Sequence, residues 1–398
     1  MKGPAVTGPF ALGAALAGRE QVGLLRNRIA TDGASCGRLR VAGRDYLNFS
    51  ANDYLGLADH PAIKTAFNAG IERYGTGSGA SPLVTGYSRA HQELEETLAE
   101  WLGVEAVLLF NCGFSANQAV LKALLGKEHL LWQDKLNHAS LQEMGSQLPC
   151  KMKRFAHNDM AALERQLEPN RGLIVSEGVF SMDGDQAPWG ELSTLAARSG
   201  NWLMIDDAHG LGVLGPEGRG TLAAQGVPPA SVHIQMGTFG KALGVAGAFV
   251  GGSRELVEYL VNFARHYVYS THMPAAQACA VSKSIELVRA ADEARAHLGQ
   301  LIARFRQGAE ELGWQLGASK TPIQPLLVGE SSVALQLAER LRERGVWVSA
   351  IRPPTVPVGT ARLRITLSAA HCEQGLDRLL DALGVCPAAT TVGEAHHG

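Results

Sequence analysis

Residues 232–252 read VHIQMGTFGKALGVAGAFVGG, two strand-like apolar runs around a glycine-bearing loop, with a single charge at Lys241. Between Arg219 and Arg254 no other Asp, Glu, Lys or Arg occurs, so this amine is not part of a solvated charged face. A phosphate-binding loop of the G-x-x-x-x-G-K-[ST] kind is excluded, because Gln235 and Ala242 stand where it needs glycine and a hydroxyl residue. Two readings remain. The lysine lays its stem on apolar surface and keeps its ammonium in water, or desolvation lowers its pKa and makes the amine a nucleophile toward carbonyls. The second points to a Schiff base, and pyridoxal phosphate is the common cofactor that uses one.

The strand-then-loop pattern repeats upstream. AHQELEETLAEWLGV places Leu94, Leu98, Trp101 and Leu102 on one helical face with Gly103 as the stop. Apolar runs EAVLLF, RGLIVS and NWLMID then end at Phe110, Ser176 and Asp206, separated mostly by helix-length segments, which predicts a mainly parallel sheet covered by helices. In such sheets ligands bind beyond the carboxyl ends of the strands. NCGFSAN, EGVFSMDGD, DDAHGLG and GTFGKALG follow four of the runs and would open onto one crevice.

With 398 residues the chain has room for two or three domains. Its 36 Lys and Arg against 38 Asp and Glu give no electrostatic reason to expect nucleic acid or an anionic membrane as partner. The six cysteines are scattered, without C-x-x-C pairs or metal-ligand spacing, as in a cytoplasmic, reducing compartment. The N-terminal MKGPAVTGPFALGAALAG imitates a signal peptide, but Pro4, Pro9 and its glycines break the apolar stretch, and a poorly ordered arm is the plainer expectation. No run approaches the roughly 20 apolar residues that span a bilayer. After about residue 290 a strand–helix–strand pattern with the proline-rich loop RPPTVPVGT predicts a smaller α/β domain, and the tail from Pro387 is expected to be disordered.

Each segment offers chemistry and a plainer alternative. Asp206 ends an apolar strand, where it is either a turn or cap residue or the acid that keeps a pyridine nitrogen protonated. His209 is either structural or within reach of a cofactor or substrate oxygen. Free N–H groups at Gly113 and Phe114 suit a phosphate at a helix start, and the Thr238 hydroxyl could join them. His138 either caps a helix or stacks on a heteroaromatic ring. No G-x-S-x-G elbow occurs, and Asp206, Asp207 and His209 lack the further ligand a metal site needs.

NFSANDYLGL, GTGSGASPLVTGYSRAHQELE, EGVFSMDGDQAP, DDAHGLGVLGPEGRG, TFGKALG and IRPPTVPVGTARLRITLSAAH together resemble the α-oxoamine synthases, over roughly residues 24 to 385. That resemblance implies a pyridoxal-phosphate enzyme of the aspartate-aminotransferase fold that joins an amino acid to an acyl thioester with loss of carbon dioxide. It implies an N-terminal segment (1–50), a large domain with a mainly parallel seven-stranded sheet (51–288), a small α/β domain (289–388) and a disordered tail (389–398). The IRPPTVP loop and LLRNR favour relatives that condense L-alanine with a pimeloyl thioester, on coenzyme A or acyl carrier protein, over the glycine-using ones. Lys241 would be the Schiff-base lysine, Asp206 the ring-nitrogen partner, His138 the stacking residue and His209 the partner of the phenolic oxygen. Ser181 would line the pocket, while Gly113, Phe114 and Thr238 would hold cofactor or phosphate. Asn52 and Arg352 would orient the amino-acid carboxylate, Thr355 would touch the acyl donor and Arg26 would meet its far carboxylate. A homodimer is implied, with Ser270 or Thr271 reaching the neighbour's phosphate. Met236-Gly237 is expected to lengthen the loop before Thr238.

Overall fold

The computed structural model describes residues 10–33 and 36–386; the tail predicted to be disordered lies outside the described residues. Its central sheet has seven strands in the order Ala106–Phe110, Ala248–Gly252, Ile234–Thr238, Trp202–Asp206, Gly172–Glu177, Leu130–Asp134 and Lys151–Phe155. All pairings are parallel except those of Ala248–Gly252, which runs antiparallel to both neighbours. The inner strands are buried at almost every position, as strands must be when helices cover both faces. The helix Arg89–Leu102 buries the predicted Leu94, Leu98, Trp101 and Leu102, and Gly103 closes it at φ 69°. Among the described residues no helix is long and apolar enough to cross a membrane.

Two strands escape the sequence pattern. Lys151–Phe155 forms the sheet edge, where the polar run KMKRF meets solvent and carries no apolar signal. Leu130–Asp134 is fully buried, but Gln133 and Asp134 cut its apolar run short. The loop expected to be lengthened at Met236-Gly237 is also absent: both residues lie inside Ile234–Thr238, in unbroken register with Ala248–Gly252.

Beyond the central sheet, Ile323–Gly329, Ala361–Thr366 and Ser349–Ile351 form an antiparallel sheet backed by the helix Ser331–Glu343, against which Glu373–Gly384 also packs. The predicted strand VWVSAI splits in two. Val346–Trp347 pairs with Arg44–Asn48 of an N-terminal hairpin, while Ser349–Ile351 pairs with Ala361–Thr366. Residues 38–48 thus complete a sheet with the C-terminal part of the chain, a long-range pairing that local pattern cannot show. Further upstream, where a poorly ordered arm is expected, Leu12–Gln21 forms a helix with no buried residue.

A Cβ on Gly237 would fall 2.5 Å from the Phe249 ring on the neighbouring strand. Gly237→Ala is therefore expected to lower the unfolding free energy by about 1–3 kcal/mol through overpacking. Urea denaturation of the variant checks this, and an unchanged midpoint would mean that Phe249 can move aside.

Candidate active site

Six strands of the central sheet point the same way, and their carboxyl ends deliver the polar loops to one edge. After Phe110 comes Gly113, after Asp134 His138, after Phe155 His157, after Glu177 Ser181, after Asp206 His209 and after Thr238 Lys241.

Asp206 is buried, with Asn117 Nδ2 donating to Oδ2 at 2.8 Å and the Ala208 N–H to Oδ1 at 3.1 Å. Its neighbour Asp207 points into the following loop. There Thr221 donates from Oγ1 at 2.6 Å and from its backbone at 2.7 Å, and burial pushes the carboxyl up to about 7. The two adjacent acids thus split between a site and a structural turn.

Lys241 is half-buried. Desolvation lowers its amine to about 8, with Asp206, Glu177 and Asp207 pulling it up and Arg364 pulling it down. His209 is buried against Tyr54, its Nδ1 2.6 Å from the Tyr54 hydroxyl. Burial, then the charges of Lys241 and Arg364, holds this imidazole well below its ordinary pKa. His138 caps the helix Ala139–Gln147 by accepting from the Ser140 N–H at 3.3 Å, and the residue is exposed. Desolvation lowers its pKa too, Asp206 opposing and Lys241 adding to the shift.

Gly113 and Phe114 open the helix Gly113–Leu124, whose preceding residue Cys112 provides no side-chain cap. Phe114 is 40 % exposed and edge-on to His138 at 6.4 Å between ring centres. The Thr238 hydroxyl donates to the Gly247 carbonyl at 2.8 Å and accepts from the Gly240 N–H at 3.3 Å. Thr271 accepts from Asn111 Nδ2 at 2.8 Å through its carbonyl, which brings it and Ser270 beside the loop that leads to Gly113.

Four residues that sequence reasoning missed complete the cluster. Tyr54 and Asn117 hold His209 and Asp206. Glu177, only 2 % exposed, accepts from the His138 backbone N–H, while its Oε1 has no partner. Burial and the nearby Asp206 push its pKa well above the ordinary carboxyl range. Arg364 lies within a wholly buried strand and donates from Nε to the Ser181 carbonyl at 2.7 Å and from Nη1 to Asn52 Oδ1 at 3.1 Å. An arginine inside the run ARLRITLS was the available signal.

Arg352 is placed differently. Its guanidinium donates to the Gly23 carbonyl in the N-terminal segment, whereas Arg364 is the arginine that meets Asn52 and feels Lys241. Arg26 and Thr355 do meet, Nη2 donating to Oγ1 at 3.1 Å across a stretch of surface.

The family model described as "Aminotransferase class I and II" matches residues 44–383. The chain is 87% identical over 396 residues to an 8-amino-7-oxononanoate synthase of Aeromonas hydrophila subsp. hydrophila, covering 100% of both chains. Among solved structures it resembles a serine palmitoyltransferase of S. paucimobilis with a bound PLP–myriocin aldimine, at 26% identity and TM-score 0.89 over 94% of this chain and 96% of that one. It also resembles an 8-amino-7-oxononanoate synthase of Francisella tularensis, at 27% identity and TM-score 0.76 over 85% of this chain and 97% of that one. The chain belongs to the class I and II aminotransferases and, within them, to the family of 8-amino-7-oxononanoate synthases.

An amine lowered to about 8 has a direct readout. In the cofactor-free protein, Lys241 should acylate with a midpoint near that pH, far below an ordinary lysine. Arg364→Met should raise the midpoint by removing a repelling charge. Labelling followed by peptide mass spectrometry measures both, and a midpoint near 10 would contradict the assigned environment.

Proposed function

We infer that this chain is an enzyme that uses pyridoxal phosphate to condense L-alanine with a pimeloyl thioester, releasing 8-amino-7-oxononanoate, carbon dioxide and the free thiol carrier. The carrying observation is the convergence of Lys241, Asp206, His138 and His209 at one sheet edge in a chain 87% identical to a protein of that name. The donor set suits the cofactor. Lys241 would be its covalent attachment point, Asp206 would hold the ring nitrogen, and the exposed His138 would offer a face for stacking. The N–H groups at Gly113 and Phe114, with Thr238, would receive the phosphate. His209 and Ser181 would line the same seat. When bound, the cofactor supplies an electron sink for charge developing at the amino-acid Cα.

The protein's own groups do the rest. Arg364 and Asn52 grip the alanine carboxylate, which sets the Cα–H bond in the geometry for its removal. Lys241, once the alanine amino group has displaced it from its covalent link, is the base that takes that proton, because an amine near pKa 8 is partly neutral at working pH. Carbon–carbon bond formation to the thioester carbonyl expels the thiol, the β-keto acid loses carbon dioxide, and Lys241 returns a proton to the same carbon. His209 stays neutral and donates or accepts a hydrogen bond without adding charge. Thr355 touches the acyl donor and Arg26 receives its far carboxylate, in line with the contact between the two.

A homodimer fits the exposed apolar residues Leu83, Val84 and Tyr269, on which a second copy would sit, with Ser270 or Thr271 reaching its phosphate site. We place the enzyme in the cytoplasm, where its six unpaired cysteines would stay reduced. We propose that the chain divides into an N-terminal segment 1–50, a large domain 51–288 and a small domain 289–388.

Lys241→Ala should lose turnover by at least about 1,000-fold, as expected for loss of both covalent holding and base, and borohydride should no longer fix cofactor to the chain. Trapping at another lysine would overturn the assignment. Product analysis with alanine or glycine and pimeloyl donors on either carrier tests the substrates; preferential use of glycine would refute the alanine reading. Arg26→Ala should harm use of a pimeloyl donor more than of a monocarboxylic one, and equal losses would contradict its role.

A further inference from the structure

His157 is not used by the chemistry above, yet it sits between two loops that are. Its Nδ1 lies 3.0 Å from Asp134 Oδ1 and its Nε2 2.7 Å from Asp185 Oδ2. Both ring nitrogens face carboxylate oxygens, so both must carry protons for the two bonds to form, and the ring is an imidazolium. Burial opposes that charge, but the hydrogen bonds and charges of Asp134 and Asp185 push the pKa up to about 10. The Phe180 ring packs edge-on at 4.4 Å and limits how the imidazole can turn.

Asp134 stands at the start of one site loop and Asp185 at the end of the other. Asp134 is fully buried and also accepts from the backbone N–H groups of Leu136 and Asn158, each at 2.8 Å. Two residues beyond Leu136 is His138. Asp185 also accepts from Asn158 Nδ2 at 3.1 Å, and its carbonyl accepts from the Phe180 N–H at 2.9 Å, closing the loop that contains Ser181. Asn158 reaches both sides from a left-handed backbone at φ 53°.

We propose that His157 is a positioning residue, an ionic strut that locks the loop carrying His138 to the loop carrying Ser181 and so sets the width of the cofactor's seat. The inference rests on the proposed function, since it assigns His138 and Ser181 to that cofactor. Removing the cation leaves two carboxylates bridged by the neutral Asn158 with no positive charge between them, so the loops part and the stacking face of His138 moves off its station. The acyl-donor end, at Arg26 and Thr355, belongs to other segments and is untouched.

The test uses the holoenzyme with His157→Gln and, separately, Asp185→Asn, measuring half-saturation by pyridoxal phosphate, kcat, KM for each substrate and the thermal midpoint. His157→Gln is expected to weaken cofactor half-saturation at least tenfold and to lower kcat at least tenfold, leaving KM for the pimeloyl donor within twofold. Asp185→Asn should move the same quantities in the same direction by less, and it carries the test if the first variant does not fold. Variants that lose several degrees of thermal midpoint but keep cofactor affinity and kcat within twofold would overturn the proposal, because His157 would then be a structural pin alone. Failure of the unsubstituted protein to take up the cofactor would instead overturn the function on which the inference rests.

Discussion

Desolvation of charge governs the architecture at the edge of the sheet where the polar loops converge. Asp134, Glu177, Asp206, Asp207, Arg362 and Arg364 are all buried there, and Lys241 is half-buried among them. An isolated charge in such a place would shift its pKa until it neutralised or would pull water in. The protein resolves each case differently. Asp134 faces an imidazolium, Asp206 takes two N–H donors, Asp207 closes a turn on Thr221, and Glu177 is driven toward its neutral form. Lys241 lacks any such close pairing and bears the cost as a lowered pKa, the property a reactive amine requires.

The same constraint joins the C-terminal sheet to the central one. Arg362 donates to Asp183 at 2.6 Å and to the Met182 carbonyl at 3.2 Å, and Arg364 reaches Ser181 and Asn52. Ser319 and Thr321 both donate to the Gly184 carbonyl, at 3.0 and 2.9 Å. The segment 181–184 is therefore clamped by the C-terminal part of the chain on one side and joined to His157 through Asp185 on the other. Buried, charge-assisted bonds of this kind are directional and costly to break singly, so the geometry of the site depends on how the two parts sit together.

Much of this was legible in the sequence. Strand ends at Phe110 and Asp206 and the isolation of Lys241 marked the sheet edge where the polar loops meet, because apolar runs followed by polar glycine-bearing loops are a local signal. Tyr54 and Asn117 were hidden because their roles consist of contacts to His209 and Asp206, 155 and 89 residues away in sequence. Arg352 and Arg364 look alike in a sequence; burial and partners separate them. The expected insertion at Met236-Gly237 failed because counting offsets along a chain cannot distinguish a longer loop from a strand that runs on.

By itself the sequence determined the parallel α/β class and singled out Lys241, Asp206, His138 and His209 as candidates, since periodicity and residue chemistry are properties of short stretches. Only the tertiary structure decided which arginine faces the site, that Asp206 and Asp207 diverge, that residues 38–48 pair with Val346–Trp347, and that His157 bridges two loops. The physical reason is the same in each case. Burial and hydrogen-bond partnership arise between segments far apart in the chain, and a group's charge state and orientation follow from those neighbours rather than from its own place in the sequence.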